Sequence, residues 1–223
     1  MKLRCEMKKR PFQKKAECEL IVDGAVAATL GSGREETVEL SPRERYYITL
    51  KDKAYSAISV LIPEGESVTL TVERRRNSYS LDVEGARLEM LSLARLLSAM
   101  CDEGKLLCLS SWEKNAFYGL LYLDLNQRDA LLESPYVLEI RDALEVLGLS
   151  EISARLTRAI DACELPLPLD PMKKLTPEEQ TALVEGYHIL WSREEGAPDG
   201  EEAHVLVRIY DYIWEKQRDG AIS

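Results

Sequence analysis

The chain has 223 residues, of which 45% are hydrophobic and 30% charged, and its formal net charge is −10. That length accommodates one large or two small domains, each able to bury a core, and the composition excludes wholesale disorder. The acidic surplus opposes direct binding to nucleic acid, and no apolar run approaches the roughly 18 residues that would cross a bilayer.

The N-terminal stretch MKLRCEMKKRPFQKK is basic but lacks the apolar segment of a signal peptide, which predicts a cytoplasmic protein. Cys5, Cys18, Cys101, Cys108 and Cys163 are odd in number and scattered, so they are expected as reduced thiols. Residues 17–30 place Asp23-Gly24 between two β-type runs, a strong hairpin signal because both turn residues tolerate positive φ. Further strands are predicted at 36–40, 45–51, 56–62, 66–74 and 78–84. In one of them Val68, Leu70 and Val72 alternate with Thr69, Thr71 and Glu73, as a strand with one face inward should. Gly31-Ser32-Gly33 reads as a hairpin turn, and Arg74-Arg75-Arg76 as a solvated turn that blunts a strand edge. Regular spacing of this kind predicts a small sandwich or barrel over residues 1–85.

Near Val83 the apolar period lengthens from two to about 3.6 without a Pro- or Ser-rich linker. Leu88, Leu91, Leu96, Leu97 and Met100 predict a first helix over 87–101. Ser110 and Glu113 form a capping box, in which hydroxyl and carboxylate satisfy unpaired backbone donors at a helix start. Phe117, Leu120, Leu121 and Leu125 are expected on the inward face of that helix, and residues 124–129 in a polar loop after it. Ser134-Pro135 predicts a new helix with Val137, Ile140, Leu144 and Leu147 inward, stopping at Gly148. Ser150 opens another, with Ile152, Leu156 and Ile160 on one side. Three prolines in residues 165–171 predict an extended connector, the alternative being a proline-rich recognition ligand. Thr176-Pro177-Glu178-Glu179 starts a helix running to Trp191, Gly196 to Gly200 breaks it, and Asp199 with Glu202 starts a last helix whose Val205, Ile209, Ile213 and Trp214 face inward. The fold class is therefore α+β: an N-terminal all-β sandwich or barrel, then an all-α domain of about six helices over 86–223.

The charge divides unevenly. Residues 1–86 hold 15 Lys+Arg against 14 Asp+Glu, and residues 87–223 hold 14 against 25. Asp124, Asp129, Glu133, Glu139, Asp142 and Glu145 fall within a short span. At 3.6 residues per turn Glu139, Asp142 and Glu145 share the side of their helix away from Ile140 and Leu144. Together with Asn126 and Gln127 they form the candidate partner-binding surface, suited to a basic protein.

The cluster Asp124-Leu125-Asn126-Gln127, followed by an acidic stretch and then Ala143-Leu144-Glu145-Val146-Leu147-Gly148, resembles the bacterial DNA-mimic protein family over residues 90–216. The first cluster stands where the family has Glu-Val-Asn-Asn, and the second where it has Ala-Leu-Glu-x-Ile-Gly. The family continues its amide pair with Gly-Gly-Phe, whereas this chain has Arg128-Asp129-Ala130. The resemblance implies a helical domain whose carboxylates imitate duplex phosphates and so occupy a DNA-binding protein.

Reactive motifs are missing from the sequence. His188 and His204 are the only histidines, neither at metal-ligand spacing from the other or from a Cys pair, and there is no C-x-x-C, G-x-S-x-G or phosphate loop. No cofactor or metal is expected. Two other readings stay open: a β domain that recognises a peptide, a glycan or a sister subunit through its edge strands, and a small-molecule enzyme with a cleft between the domains.

Overall fold

The computed structural model describes residues 1–8, 17–51, 56–74, 79–169, 174–192 and 201–220, and in these the chain forms nine strands followed by six α-helices. It is a mixed α+β protein with its strands first. Two compact units meet in the sequence at Leu91 and Ser92, the first all strand and the second helical.

In the first unit β4 (Glu35–Glu39), β1 (Lys2–Met7), β7 (Ser67–Arg74) and β8 (Tyr79–Glu84) make one sheet in that order. The second sheet runs β3 (Ala25–Gly31), β2 (Glu17–Val22), β5 (Tyr46–Lys51), β6 (Ser56–Pro63) and β9 (Ala86–Met90). Neighbours are antiparallel except β1 and β7, which run parallel with Cys5 opposite Leu70. Leu3, Cys5 and Met7 from β1 and Val68, Leu70 and Val72 from β7 bury their side chains in one cluster with Leu20, Leu30, Ile48, Leu50 and Leu61 of the other sheet. Alternation places these residues inward, and their removal from water supplies the main stabilising term of the unit.

The Asp23-Gly24 hairpin forms as expected, with φ of 51° and 83° at the two turn residues. The Asp23 carboxylate accepts from the Tyr47 N–H at 2.8 Å and pairs with Arg43 at 2.7 Å.

Within the basic N-terminal stretch, residues 2–7 form strand β1: Lys2, Arg4 and Glu6 point outward while Leu3, Cys5 and Met7 are buried, so the charges line only one face. Two expectations are corrected. Gly31-Ser32-Gly33 is a passage between sheets rather than a hairpin turn, since β3 and β4 belong to different sheets. There Ser32 bridges Met7, and Gly33, at φ 75°, donates to the Met7 carbonyl at 2.8 Å. Residues 86–90 are strand β9, not helix. Leu88 sits opposite Leu61, and pairing with β6 satisfies backbone groups that an isolated helical turn would leave to water. Arg75, Arg76 and the break at residues 196–200 lie outside the described residues.

In the second unit, α1 (Ala94–Cys101) and a 3-10 helix (Glu103–Cys108) precede α2 (Ser111–Gln127). Then come α3 (Val137–Val146), α4 (Ser150–Cys163), α5 (Pro177–Trp191) and α6 (Glu201–Gly220). Packing is α2 on α3 and α6, and α4 on α3 and α5. The buried face of α2 is Ala116, Phe117, Gly119 and Tyr122, so Leu120, Leu121 and Leu125 are only half-buried, one step off the expected face. Gly119 is required there: a Cβ would lie 2.7 Å from Leu147 Cδ1 and 3.0 Å from Ile209 Cγ1. Helix α3 starts at Val137, slightly after Ser134-Pro135, and Ser134 Oγ instead accepts from the Tyr136 N–H at 3.1 Å. Gly148 ends the helix at φ 72°, a conformation that disfavours a side chain. The inward residues of α6 are Val205, Ile209, Ile213 and Trp214 as expected, joined by Tyr210.

Candidate functional site

The acidic surface is built from the end of α2, the turn after it and one face of α3. Helix α2 begins at the Ser110 capping box, where the Glu113 carboxylate accepts from the Ser110 N–H at 2.8 Å and its hydroxyl at 2.7 Å and pairs with Arg95 at 3.1 Å. So anchored, α2 continues through Gln127. Asp124, Asn126 and Gln127 therefore occupy its last turn and not the polar loop expected, because Leu121, Tyr122 and Leu125 still have packing to gain there.

Several of the predicted residues have partners within the chain. Asp124 pairs with Arg128 at 2.8 Å, one helical turn on, and the Gln127 amide donates to Glu202 at 3.1 Å. Asp129 sits in the left-handed region at φ 52°, where its carboxylate Oδ1 accepts from Trp191 Nε1 at 3.1 Å. Asp142 is held by the adjacent Arg141 at 2.9 and 2.6 Å, and Glu145 accepts from the Ser150 hydroxyl at 3.0 Å. Glu133 and Glu139 are exposed and have no ion pair among the described residues. The helical unit as a whole, residues 92–223, carries 13 Lys+Arg against 24 Asp+Glu.

An aromatic group missed by the sequence reading borders this surface. On α5, Leu183, Tyr187 and Leu190 are buried, whereas Val184, His188 and Trp191 share the adjoining, exposed face at spacings of four and three. The Trp191 ring stacks on Tyr187 with centroids 5.4 Å apart and planes 22° apart. Tyr187 in turn accepts from the Leu132 N–H at 3.2 Å, and burial pushes its hydroxyl up to about 12, with Glu133 and Asp129 adding to the rise. Asp129 thus lies beside the indole, and Glu133 directly follows Leu132, whose N–H meets the Tyr187 hydroxyl. The available signal was a tryptophan on the polar side of an otherwise amphipathic helix.

A second polar cluster is internal. The Arg155 guanidinium pairs with Glu201, which also accepts from the Tyr122 hydroxyl at 3.2 Å, tying α6 to α4 and α2. Burial first and then Glu201 raise Tyr122 to about 12. Arg155 Nε is buried with no hydrogen-bond partner among the described residues.

Among the described residues no group of three or more His, Cys, Asp or Glu side chains is arranged to hold a metal ion, and no helix is long and apolar enough to cross a membrane. In the β unit a cleft of about 620 Å³ is bordered by Lys2, Glu39, Arg43, Tyr46 and Glu66. Its Tyr46 hydroxyl is committed to the Ser41 carbonyl at 2.6 Å and the Arg43 N–H at 3.0 Å. Comparison with family models, with curated proteins and with solved structures found no match.

Proposed function

We propose that this is a non-enzymatic interaction protein whose helical unit binds a basic protein surface, with a DNA-binding protein as the partner class that its resemblance to the DNA mimics implies. The observation that carries this reading is the division of charge: residues 92–223 have a surplus of 11 acids, while residues 1–91 are nearly neutral at 16 Lys+Arg against 15 Asp+Glu. A surplus on one unit creates a directional field that steers a cationic partner and repels duplex phosphate. Within the surface, Glu133 and Glu139 offer open carboxylates, whereas the pairing of Asp124 and Asp142 with arginines lowers the local density of negative charge.

The test is capture of DNA-binding proteins from the source cell by the full chain, repeated with Asp129→Asn, Glu133→Gln, Glu139→Gln, Asp142→Asn and Glu145→Gln combined. Retention that falls with salt and with these changes is expected. Capture indifferent to both would refute the reading.

A second reading rests on the β unit, taken as a sandwich of its two sheets. Edge strand β3, AVAATLG, has no charged residue, whereas edge strand β4 carries Glu35, Glu36 and Glu39. An uncharged edge is open to an extended chain or a sister subunit. Val26→Lys, at a side chain that is exposed in any case, would block such pairing without harming the core. An unchanged partner set and oligomeric state in that variant would count against it.

A further inference from the structure

We propose that the exposed indole of Trp191, with the Asp129 carboxylate beside it, seats an arginine side chain of the basic partner; the inference rests on the acidic-surface reading and specifies which side chain the surface takes. Trp191 is 51% exposed, costly for a large aromatic, whereas Phe117 and Trp214 are turned inward. Its orientation is fixed twice, by the stack on Tyr187 and by the bond from Nε1 to Asp129 Oδ1. A ring held in this way loses little freedom on binding, the property that makes tryptophan a frequent anchor of interfaces.

The chemistry around the ring selects the occupant. The second oxygen of Asp129 has no partner among the described residues, so cationic charge is favoured over the ring. A guanidinium can lie flat on an indole while its edge donates to a carboxylate, whereas an ammonium lacks both the plane and the fork. Val184, 50% exposed about two turns away on the same face, adds apolar contact for the aliphatic stem of the side chain.

The test compares fluorescent arginine-glycine and lysine-glycine repeat peptides of equal length, titrated into the full chain at low and at physiological salt. The arginine peptide is expected to bind about tenfold tighter, and Trp191→Ala to lose about tenfold on that peptide and so level the two, a difference of about 1.4 kcal/mol. Trp191→Phe keeps an aromatic ring in the stack and is expected to retain part of the preference, which guards against simple misfolding of the alanine variant. Combined Glu139→Gln, Asp142→Asn and Glu145→Gln should weaken both peptides alike. If Trp191→Ala and Trp191→Phe bind the arginine peptide as the parent does while that triple variant weakens it, the anchor is wrong and the acidic surface stands. If neither peptide binds at low salt, both fall.

Discussion

The β unit and the helical unit each bury a hydrophobic core but place their charge differently. In the first, acids and bases meet one another across the sheet surface, as Arg4 with Glu35, Arg43 with Asp23 and Arg87 with Glu64. In the second, acids outnumber bases nearly two to one, and the base in the best-buried pair, Arg155, is spent inside. Exposed pairs contribute little to stability, so the balance in the β unit serves solubility more than strength. The imbalance in the helical unit costs self-repulsion and persists despite it, which is the physical reason to look there for a partner.

The two cores should also fail in different ways. Leu70 is fully buried between the sheets, and Leu70→Ala leaves a cavity; a loss of about 2–5 kcal/mol is expected, with amide protection falling first in β1, β7 and β8. In the helical unit the weak point is overpacking. Gly186 of α5 lets that helix approach α4 so closely that a Cβ would fall on Cys163 Sγ and lie 2.8 Å from the Ala159 carbonyl and from Leu132 Cδ1. A backbone oxygen cannot rotate away. Gly186→Ala should therefore cost about 1–3 kcal/mol in spite of the better helix propensity of alanine, with protection lost in α4 and α5. Equal effects of the two changes throughout the chain would break the comparison.

How much of this was legible depends on whether the deciding contact is local. The Asp23-Gly24 turn, the alternation in β7 and the Thr176 capping box are written within a few residues, and the structure has them as read. Strand β1 was hidden because Lys2, Arg4 and Glu6 dominate its composition although Leu3, Cys5 and Met7 alternate with them correctly. Leu88 and Leu91 fit a helical spacing as well as a strand, and only β6, some 25 residues away, decides between them. The candidate surface divides in the same way. The carboxylates of α3 were readable from their period, but the bond from Trp191 to Asp129 spans 62 positions and no local pattern announces it.

Alkaline titration sharpens the comparison further. Burial raises Tyr122, Tyr187 and Tyr210 to about 12, and all three lie in the helical unit. Folding thus favours the neutral phenol. Their contribution is complete below the ordinary tyrosine value near 10 and is lost as pH rises from there through about 12, at about 1.4 kcal/mol per pH unit for each. In the β unit the corresponding group is Cys5, raised to about 12 by burial and then by Cys18. Tyrosinate absorbance should appear late and together with loss of helical circular dichroism, and Tyr210→Phe should flatten the stability decline by one group. The Cys5 thiol should resist alkylation in the folded chain at a pH where exposed Cys101 and Cys108 react.

The smallest effect contrasts two copies of one motif inside the helical unit. Both α2 and α5 start with a hydroxyl residue followed three positions on by glutamate, yet Glu113 is almost wholly buried whereas the Thr176 box lies at the surface. Glu113 accepts from two donors on Ser110 and faces Arg95, so removing its charge weakens three contacts at a site that water does not easily replace. Glu179 accepts from the Thr176 N–H at 2.9 Å in the open, where solvent substitutes for it. Glu113→Gln should accordingly cost about 1 kcal/mol more than Glu179→Gln by chemical denaturation. Equal costs would mean that local capping alone sets the value of the motif and that the surroundings of α2 contribute nothing to it.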